Sequence, residues 1–308
     1  MKVIFLSKKD YANIGYELSK SLNTIGIDSI AYSMQHDVKL SYEERAEKMP
    51  RGDELTNLAN SANVIVFMHS EHIEIQNLNL SKKKLFVFHG GSLYRTRPKV
   101  VNKIFNPIVF GSIIQTGDLL NLGAKNEKWL LPPVAVNKLM PNYNREHDNK
   151  MVIGHYPSCK PREKGSYRIN KVMSELEARD RFEYRHGLKP ILWQKHLKRV
   201  AVCDIYIERL SPKYAKCSEW GIAALEAAAL GCVVVTNFES RRLYEKIYGP
   251  CPIHVVASEK ELENAIYNLL SFSSADLLNE KKKLRAWVEH FHTYEKIGLR
   301  LLDIIKGK

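Results

Sequence analysis

The chain has 308 residues, of which 44% are hydrophobic and 26% charged, and a formal net charge of +13. This length suits two medium-sized domains, and the composition excludes a disordered chain. No apolar run approaches the roughly 20 residues that a membrane-spanning helix needs, and no signal peptide is evident, so we expect a cytoplasmic protein. The positive charge predicts an acidic partner, such as a nucleoside diphosphate, a phospholipid surface, an anionic glycan or a nucleic acid.

Short apolar runs alternate with amphipathic stretches along the first half, which is typical of a parallel sheet with crossover helices. We expect strands at Lys2–Ser7, Ser29–Ser33, Asn63–His69, Leu85–His89 and Ile108–Ser112. Helices are expected at Gly15–Ile25, Gly52–Ala59 and Lys99–Phe105. A polar stretch, residues 142–150, then has the composition of an interdomain linker.

The second half repeats this alternation without repeating the sequence. Strands are expected at Val152–Tyr156, Phe182–Arg185, Asp204–Ile207, Cys232–Thr236 and Ile253–Val256. Helices are expected at Gly165–Glu177, Ile191–Val200, Ile222–Leu230, Ser258–Leu270, Leu277–His290 and Tyr294–Ile305. The pattern predicts an α/β protein of two Rossmann-like domains with parallel sheets facing a cleft. Ligands in such sheets bind at the carboxyl ends of the strands.

The five cysteines do not predict a metal or disulfide site. Their number is odd and none forms a C-x-x-C pair, so free thiols in a reducing compartment are expected. No Asp-x-Asp motif occurs either, and a diphosphate bridged by a metal ion is therefore not predicted.

The strongest local signal is the segment 218–235, which has a glycine-led turn, a helix of small residues, a glycine and a β-branched strand. The unpaired amides near Gly221, Ile222 and Ala223 would favour an anion such as a diphosphate. Glu226 is the only carboxylate in this apolar helix, and burying it without a partner would be costly. It therefore either faces a polar ligand or cation, or is an ordinary solvent-facing or ion-paired glutamate.

This segment resembles the donor-binding motif of glycosyltransferase family 4, in which seven residues separate two glutamates. Glu226 matches the second glutamate, which in that family contacts the ribose of the nucleotide-sugar donor. Ser218 occupies the position of the first glutamate, which contacts the donor sugar, and Glu219 stands one place later. Either Glu219 reaches the reacting sugar through a shifted loop, or Ser218 has replaced the glutamate.

Residues 152–158 and the lysine-glycine pair beyond them look like the start of the donor domain in the same family. There, a basic residue after the first strand and a lysine at the next helix start bind the diphosphate. His155 stands at the first position and Lys164 at the second, while Lys160 or Arg162 would supply the charge that a neutral histidine lacks. Lys164 could also be an exposed lysine, but the helix dipole disfavours a cation at this end unless an anion is bound.

The first half carries a weaker form of the resemblance. His89, followed by two glycines, is similar to the family's histidine beside the reacting sugar, and we take it as a catalytic candidate. His69 is a second candidate, although such a histidine more often packs inside the fold. Gly15 lies in a turn that lacks the G-x-G-x-x-G fingerprint, but it would allow close approach of a donor phosphate or an acceptor.

The resemblance implies the GT-B fold, with an acceptor-side domain at residues 1–145 and a donor domain at residues 151–290. Residues 291–308 would form a helix that packs back on the first domain. It also implies transfer with retention at the anomeric carbon, from a UDP- or GDP-sugar, without a metal or further cofactor.

The acceptor is expected beside a basic cluster of the first half, which includes Arg95, Arg97 and Lys99. One interpretation is a lipid-linked or anionic cell-surface glycan, with peripheral contact at the inner membrane face. A second is a hydroxymethylated base in DNA, as in phage glycosyltransferases, and a third is a solvated basic surface. A non-catalytic module that binds sugar nucleotides is a further alternative, because the first glutamate is displaced.

Overall fold

The computed structural model describes residues 1–35, 40–81, 83–141, 143, 150–157, 161–179, 182–189, 191–212, 217 and 219–308. The chain divides into two compact units: residues 1–133 with 292–308, and residues 134–291. Most of the predicted linker, residues 142–150, lies outside the described residues. Within the described part of the chain, no helix is long and apolar enough to cross a membrane.

The first unit contains a seven-stranded sheet in which all neighbouring strands are parallel. Its strands are β1 (Lys2–Lys9), β2 (Asp28–Gln35), β3 (Glu47–Lys48), β4 (Val64–Phe67), β5 (Lys84–His89), β6 (Gly111–Ile114) and β7 (Glu127–Trp129). Their order is β3-β2-β1-β4-β5-β6-β7. Helices α1 (Ile14–Thr24), α2 (Gly52–Ser61), α3 (Ser92–Thr96) and α4 (Pro98–Phe105) lie between them in the chain. The central strands are apolar and fully buried, as expected for a sheet covered on both faces.

The second unit contains a five-stranded parallel sheet in the order β12-β11-β10-β8-β9. Its strands are β8 (Met151–His155), β9 (Phe182–His186), β10 (Ile205–Ile207), β11 (Val233–Thr236) and β12 (His254–Val255). Its helices are α5 (Ser166–Glu177), α6 (Trp193–Val200), α7 (Ile222–Ala229), α8 (Arg241–Tyr248), α9 (Glu259–Leu270) and α10 (Ser274–Phe291).

The last helix, α11 (Tyr294–Lys306), returns to the first unit and packs on α1. Gly298 allows this contact, because a Cβ at that position would overlap the carbonyl oxygen of Ser21. The hydroxyl of Tyr294 donates a hydrogen bond of 2.5 Å to Glu17 on α1. The predicted return of the C-terminal helix to the first half is thus confirmed.

The predicted fold class is confirmed by these two parallel sheets and their helices. The strand predicted at Ile108–Ser112 begins too early, since β6 starts only at Gly111. Helical hydrogen bonding continues past α4 as far as Val109, whose N–H donates to the carbonyl of Phe105. The sequence analysis also missed the short elements β3, β7, α3 and α8.

Each sheet has one point where the strand order reverses, and these points locate the candidate sites. In the first sheet the reversal lies between β1 and β4, and in the second between β8 and β10. Open α/β sheets bind ligands at the carboxyl ends of the strands beside such a reversal. The residues that directly follow β1, β4, β8 and β10 are therefore the first to consider.

Candidate functional site

In the second unit, His155 ends β8 and is fully buried. Its Nδ1 lies 2.8 Å from the carbonyl oxygen of Ile207, which can only accept, so Nδ1 carries the proton. Its Nε2 therefore accepts from the hydroxyl of Ser166, at 2.7 Å. Burial lowers the pKa of His155 to about 4, and the ring is neutral at pH 7. His155 thus connects β8 to β10 and to the start of α5 through hydrogen bonds. Its expected contact with the donor stays a prediction.

Lys164 and Glu208 form a buried ion pair at the same edge of the sheet, with Nζ to Oε1 at 2.9 Å. Burial opposes the charged form of Glu208, but the charges of Arg209 and Lys164 outweigh it and lower the Glu208 pKa to about 2. The Thr236 hydroxyl donates to the second carboxylate oxygen at 2.9 Å. Two cations and one carboxylate thus meet here, which leaves one net positive charge for an anionic ligand.

The turn that holds Lys164 requires a glycine. Gly165 has φ of +72°, and a Cβ there would overlap the carbonyl oxygen of Leu210. The N–H of Leu210 in turn donates to the carbonyl of Lys164 at 3.0 Å. This close backbone contact fixes the start of α5 against the segment that follows β10.

Helix α7 begins at the same place. A Cβ on its N-cap residue, Gly221, would lie 3.6 Å from Oε1 of Glu208. The first-turn amides, which include those of Ile222 and Ala223, have no acceptor within their own helix and carry the positive end of its dipole. The lysine, the buried carboxylate and the helix start therefore converge.

Glu226 lies one turn into α7 and is 8% exposed. Its Oε1 accepts a hydrogen bond of 2.6 Å from the indole N–H of Trp193, the first residue of α6. The indole orients the carboxylate and offsets part of its burial cost. The sequence offered no signal for Trp193.

The other predicted donor-site residues fall in different settings. Glu219 is buried, and its Oε1 accepts the N–H of Ser240 at 2.9 Å, where α8 begins. Arg162 is exposed in the turn before α5. Lys160 and Ser218 lie outside the described residues. Whether Glu219 or Ser218 fills the role of the first glutamate therefore stays open.

In the first unit, the carboxylate of Asp10 follows β1 and receives the N–H groups of Gly15 and Tyr16 at 2.8 and 3.0 Å. The Nε2 of His69, which follows β4, lies 3.4 Å from the same carboxylate. Asp10 thus satisfies the start of α1, where the amides would otherwise attract an anion. The predicted contact of Gly15 with a donor stays a prediction, since its amide is engaged by Asp10 here.

Backbone strain is concentrated at this edge of the first sheet. The backbone φ angles of four residues at this edge lie between 53° and 64°: Ala12, Asn13, His69 and Ser70. This is the left-handed region, which residues other than glycine rarely adopt. Each such residue costs of order 1 kcal/mol, and the cost persists only where the surrounding structure enforces it. The loops after β1 and β4 are therefore held in defined shapes.

His89 ends β5 and is fully buried. Its Nδ1 lies 2.9 Å from the hydroxyl of Ser70, and its ring stacks on Tyr94 with centroids 3.9 Å apart. Burial lowers the pKa of His89 to about 3, so the ring is neutral. Its Nε2 has no hydrogen-bond partner within the described residues. The catalytic role of His89 stays a prediction.

The predicted acceptor residues divide into two kinds. Arg95 is partly buried and donates to the carboxylate of Asp118 at 2.5 Å and to Thr116 at 3.3 Å. Arg97 and Lys99 are exposed at the start of α4. Only Arg97 and Lys99 present their charges to solvent.

No protein-family model and no curated protein match the sequence. Solved structures do match, and the three described next match over nearly their whole length. An α-glucosyltransferase in complex with UDP-glucose and DNA containing an abasic site has 12% identity, 99% coverage of both chains and a TM-score of 0.69. HepE of Anabaena in complex with UDP and glucose has 11% identity, full coverage of both and a TM-score of 0.65. Sucrose-phosphate synthase of Thermosynechococcus elongatus has 12% identity, coverage of 100% and 99%, and a TM-score of 0.61.

The chain has the GT-B fold. At identities of 11% to 12%, the likeness to these proteins is one of fold. The GT-B architecture accounts for the two separate parallel sheets and for the return of α11 to the first unit.

Three residues of this GT-B chain join the second-unit site although the sequence analysis did not single them out: Glu208, Arg209 and Trp193. Glu208 and Arg209 directly follow the strand expected at Asp204–Ile207, so the rule that functional groups follow strands could have found them. Among the described residues, no group of three or more His, Cys, Asp or Glu side chains is placed to hold a metal ion.

Proposed function

We propose that the protein is a glycosyltransferase that moves a sugar from a nucleoside-diphosphate sugar, with UDP as the expected nucleotide, to an acidic acceptor. The observation that carries this proposal is the convergence of Lys164, the N-cap Gly221 and Glu226 at the strand-order reversal of the second sheet. A diphosphate needs cations and free amides, and a ribose needs a hydrogen-bond acceptor such as a carboxylate.

In this proposal the diphosphate lies against the start of α7, next to the Nζ of Lys164. Arg209 and the unmatched amides of α7 then offset the charge that develops on the leaving diphosphate. Glu226, oriented by Trp193, accepts hydrogen bonds from the ribose hydroxyls. The solved structures with UDP-glucose or UDP support a UDP donor through their shared fold.

The reaction we propose retains the configuration of the anomeric carbon and needs no metal ion. The bond between the anomeric carbon and the diphosphate oxygen breaks, and the acceptor hydroxyl attacks from the same face. The departing diphosphate takes the hydroxyl proton. The resemblance to glycosyltransferase family 4 supports this stereochemistry, and the absence of an Asp-x-Asp motif supports metal independence.

The acceptor in this proposal is a cell-surface glycan or lipid-linked sugar, bound by the first unit in the cytoplasm at the inner membrane face. The support is the basic cluster with exposed Arg97 and Lys99. The acceptor hydroxyl would lie at the C-terminal edge of the first sheet, near His89.

A thermal-shift screen with UDP, GDP, ADP and CMP and their sugars tests the donor class, with EDTA and then with Mg²⁺. We expect one nucleoside diphosphate to stabilise the protein equally in both conditions. Lys164→Ala and Glu226→Ala should reduce that stabilisation and lower transfer or donor hydrolysis about 100-fold or more. Lys171→Ala, an exposed lysine on α5, is the matched control and should leave both unchanged.

Full activity of both site variants would place the donor elsewhere. Binding of a nucleotide sugar without any turnover would favour a non-catalytic module.

A second candidate acceptor is a hydroxymethylated base in DNA. It is favoured by the solved α-glucosyltransferase structures whose titles name DNA, in one case DNA with an HMU base. The same basic cluster could contact phosphates, and duplex binding would then weaken steeply with salt. Transfer of labelled sugar to hydroxymethylated DNA, with unmodified DNA as control, separates this candidate from the first.

A further inference from the structure

A run of exposed apolar side chains lies on the first unit, along α4 and the turn that leads into β6. Val100, Ile104, Ile108 and Phe110 are 57%, 46%, 40% and 42% exposed, and we call these four residues the apolar stripe. Three of them are spaced four residues apart along α4 and the helical turn that continues it to Val109. Residues at this spacing share one face of a helix.

The stripe is not part of the packing of α4 onto its own sheet. Val101 and Phe105, each one residue after a stripe residue, point about 100° away around the helix and are buried in the core of the first unit. α4 is therefore apolar on two adjacent faces, and the side chains of the face that carries the stripe are about half exposed in the described part of the chain.

Several lysines lie near the stripe in the chain or contact it. Lys99 and Lys103 are next to it on α4, and both are exposed or partly exposed. The Nζ of Lys84 lies 4.5 Å from the centroid of the Phe110 ring. The same ring lies 3.4 Å from where a Cβ on Gly307 would be, between the exposed Lys306 and Lys308. Lys84 thus contacts the stripe directly, and four exposed lysines are chain neighbours either of stripe residues or of Gly307.

Acidic groups are missing from the sequence of this region. Between Glu74 and Asp118 the chain has seven basic residues and no aspartate or glutamate. The segment that forms β5, α3, α4 and β6, residues 84–114, thus carries five basic and no acidic residues.

We propose that the apolar stripe docks the protein on an anionic lipid bilayer, with the stripe in the headgroup region and the lysines against lipid phosphates. A surface helix with an apolar face and a lysine border is suited to such an interface, because burial of the apolar side chains and electrostatic attraction act together. A nucleic acid would satisfy the lysines only, since aliphatic side chains gain nothing beside a phosphate backbone. The stripe shares no residue with the donor site, but Lys99 also belongs to the basic cluster assigned to the acceptor, so this docking rests on the proposed function in placing the acceptor at a membrane face.

Helix α8 provides a matched control. Leu243 and Ile247 are also exposed apolar residues four positions apart, with basic neighbours. Glu245 lies between them in the sequence, and the helix belongs to the second unit. Ile247→Asp therefore makes the same chemical change as Ile104→Asp on a surface to which we assign no lipid contact.

The experiment is flotation of the full chain with vesicles of phosphatidylcholine alone or mixed with phosphatidylglycerol. We expect binding to the mixed vesicles only, and weaker binding at high salt. Ile104→Asp should lower the partition coefficient about tenfold or more, because an apolar contact is lost and a repulsive charge is added. Lys99→Gln and Lys103→Gln should each lower it about fivefold. Ile247→Asp should bind the vesicles as well as the unaltered chain does. The circular dichroism spectrum and the thermal shift with the donor should be unchanged in every variant, which shows that the fold and the donor site are intact.

The proposal is overturned if the unaltered chain ignores anionic vesicles, binds neutral vesicles equally well, or loses binding in Ile247→Asp as much as in Ile104→Asp. It is also overturned if duplex DNA of 30 base pairs binds with a steep salt dependence, displaces the vesicles, and is insensitive to Ile104→Asp.

Discussion

The strand ends of the two sheets are built on different principles. In the second unit, charges meet: Lys164 and Arg209 flank the ionised Glu208, beside the start of α7. In the first unit, the start of α1 is already satisfied by Asp10, and the neighbouring His89 is neutral and buried. A helix start with a cationic neighbour can accept an external anion, whereas one occupied by the chain's own carboxylate cannot do so without rearrangement. From this comparison we expect an anionic ligand to bind at the second unit rather than at the start of α1.

The largest expected effect is that of Gly165→Ala. A Cβ there would overlap the Leu210 carbonyl oxygen, and the positive φ adds strain, so the turn that carries Lys164 must shift. We expect a loss of about 3 kcal/mol or more in unfolding free energy and loss of the UDP thermal shift. Gly26→Ala has a similar φ of +79° but open space around it, and should cost only about 1 kcal/mol with the shift intact. Equal effects of the two variants, measured by urea unfolding, would contradict the special role of this turn.

The second largest expected effect is that of Glu208→Gln. It leaves Lys164 and Arg209 without their buried counter-charge, at a cost of about 3 kcal/mol. A bound diphosphate would restore that counter-charge, so the UDP thermal shift should be larger than in the unaltered chain. Glu259→Gln removes the partly exposed partner of Arg168, and should cost below about 1 kcal/mol without changing the shift. A smaller UDP shift in Glu208→Gln would mean that Glu208 supports the ligand and does not compete with it.

Asp10→Ala tests the first unit. It removes the acceptor of two α1 amides and the partner of His69, and should cost about 2 kcal/mol in chemical unfolding. Thr293→Ala removes the ordinary cap of α11 in the same unit and should cost about 1 kcal/mol. We expect an unchanged UDP thermal shift in both. If the UDP thermal shift changes in Asp10→Ala but not in Thr293→Ala, the predicted contact of Gly15 with the donor is supported.

The smallest expected effect is on pH dependence. Burial holds the pKa of His155 at about 4 in the folded chain, below its usual value of about 6.5. Between these two values the unfolded chain therefore binds one more proton than the folded chain. As the pH is lowered through this range, the unfolding free energy decreases by about 1.4 kcal/mol per pH unit for this group. Urea unfolding measured from pH 7 to pH 5 should show that the unfolding free energy depends less steeply on pH in His155→Gln than in the unaltered chain. Ser166→Ala should lower stability at every pH and keep the slope, and identical slopes in all three proteins would refute the neutral state of His155.

The elements that could be read from the sequence are those whose pattern is local. The helix at 222–230 and the strand at 232–236 follow from a run of small residues, a glycine and four β-branched or small apolar residues, and α7 and β11 lie there. The strand predicted at Ile108–Ser112 began three residues too early, because an apolar run fits a buried strand as well as an exposed helical turn, and only packing distinguishes them.

The site residues show the same division. Lys164 and Glu226 could be named because each lies in a recognisable local motif. The partners of both come from far along the chain: Glu208 is 44 residues from Lys164, and Trp193 is 33 residues from Glu226. No spacing rule links such pairs, since a crossover connection of variable length separates the strands that bring them together.

The alternation of strands and helices, the two α/β halves, and the two local motifs that carry Lys164 and Glu226 could be predicted from the sequence. Only the tertiary structure showed that His155 is neutral, buried and hydrogen-bonded inside the second unit, and that the carboxylate of Asp10 accepts the first amides of α1. It also decided that Ile104 faces outward while Phe105 faces the core. The reason is that periodicity is set by neighbours in the chain, whereas burial, protonation and hydrogen-bond partners are set by neighbours in space.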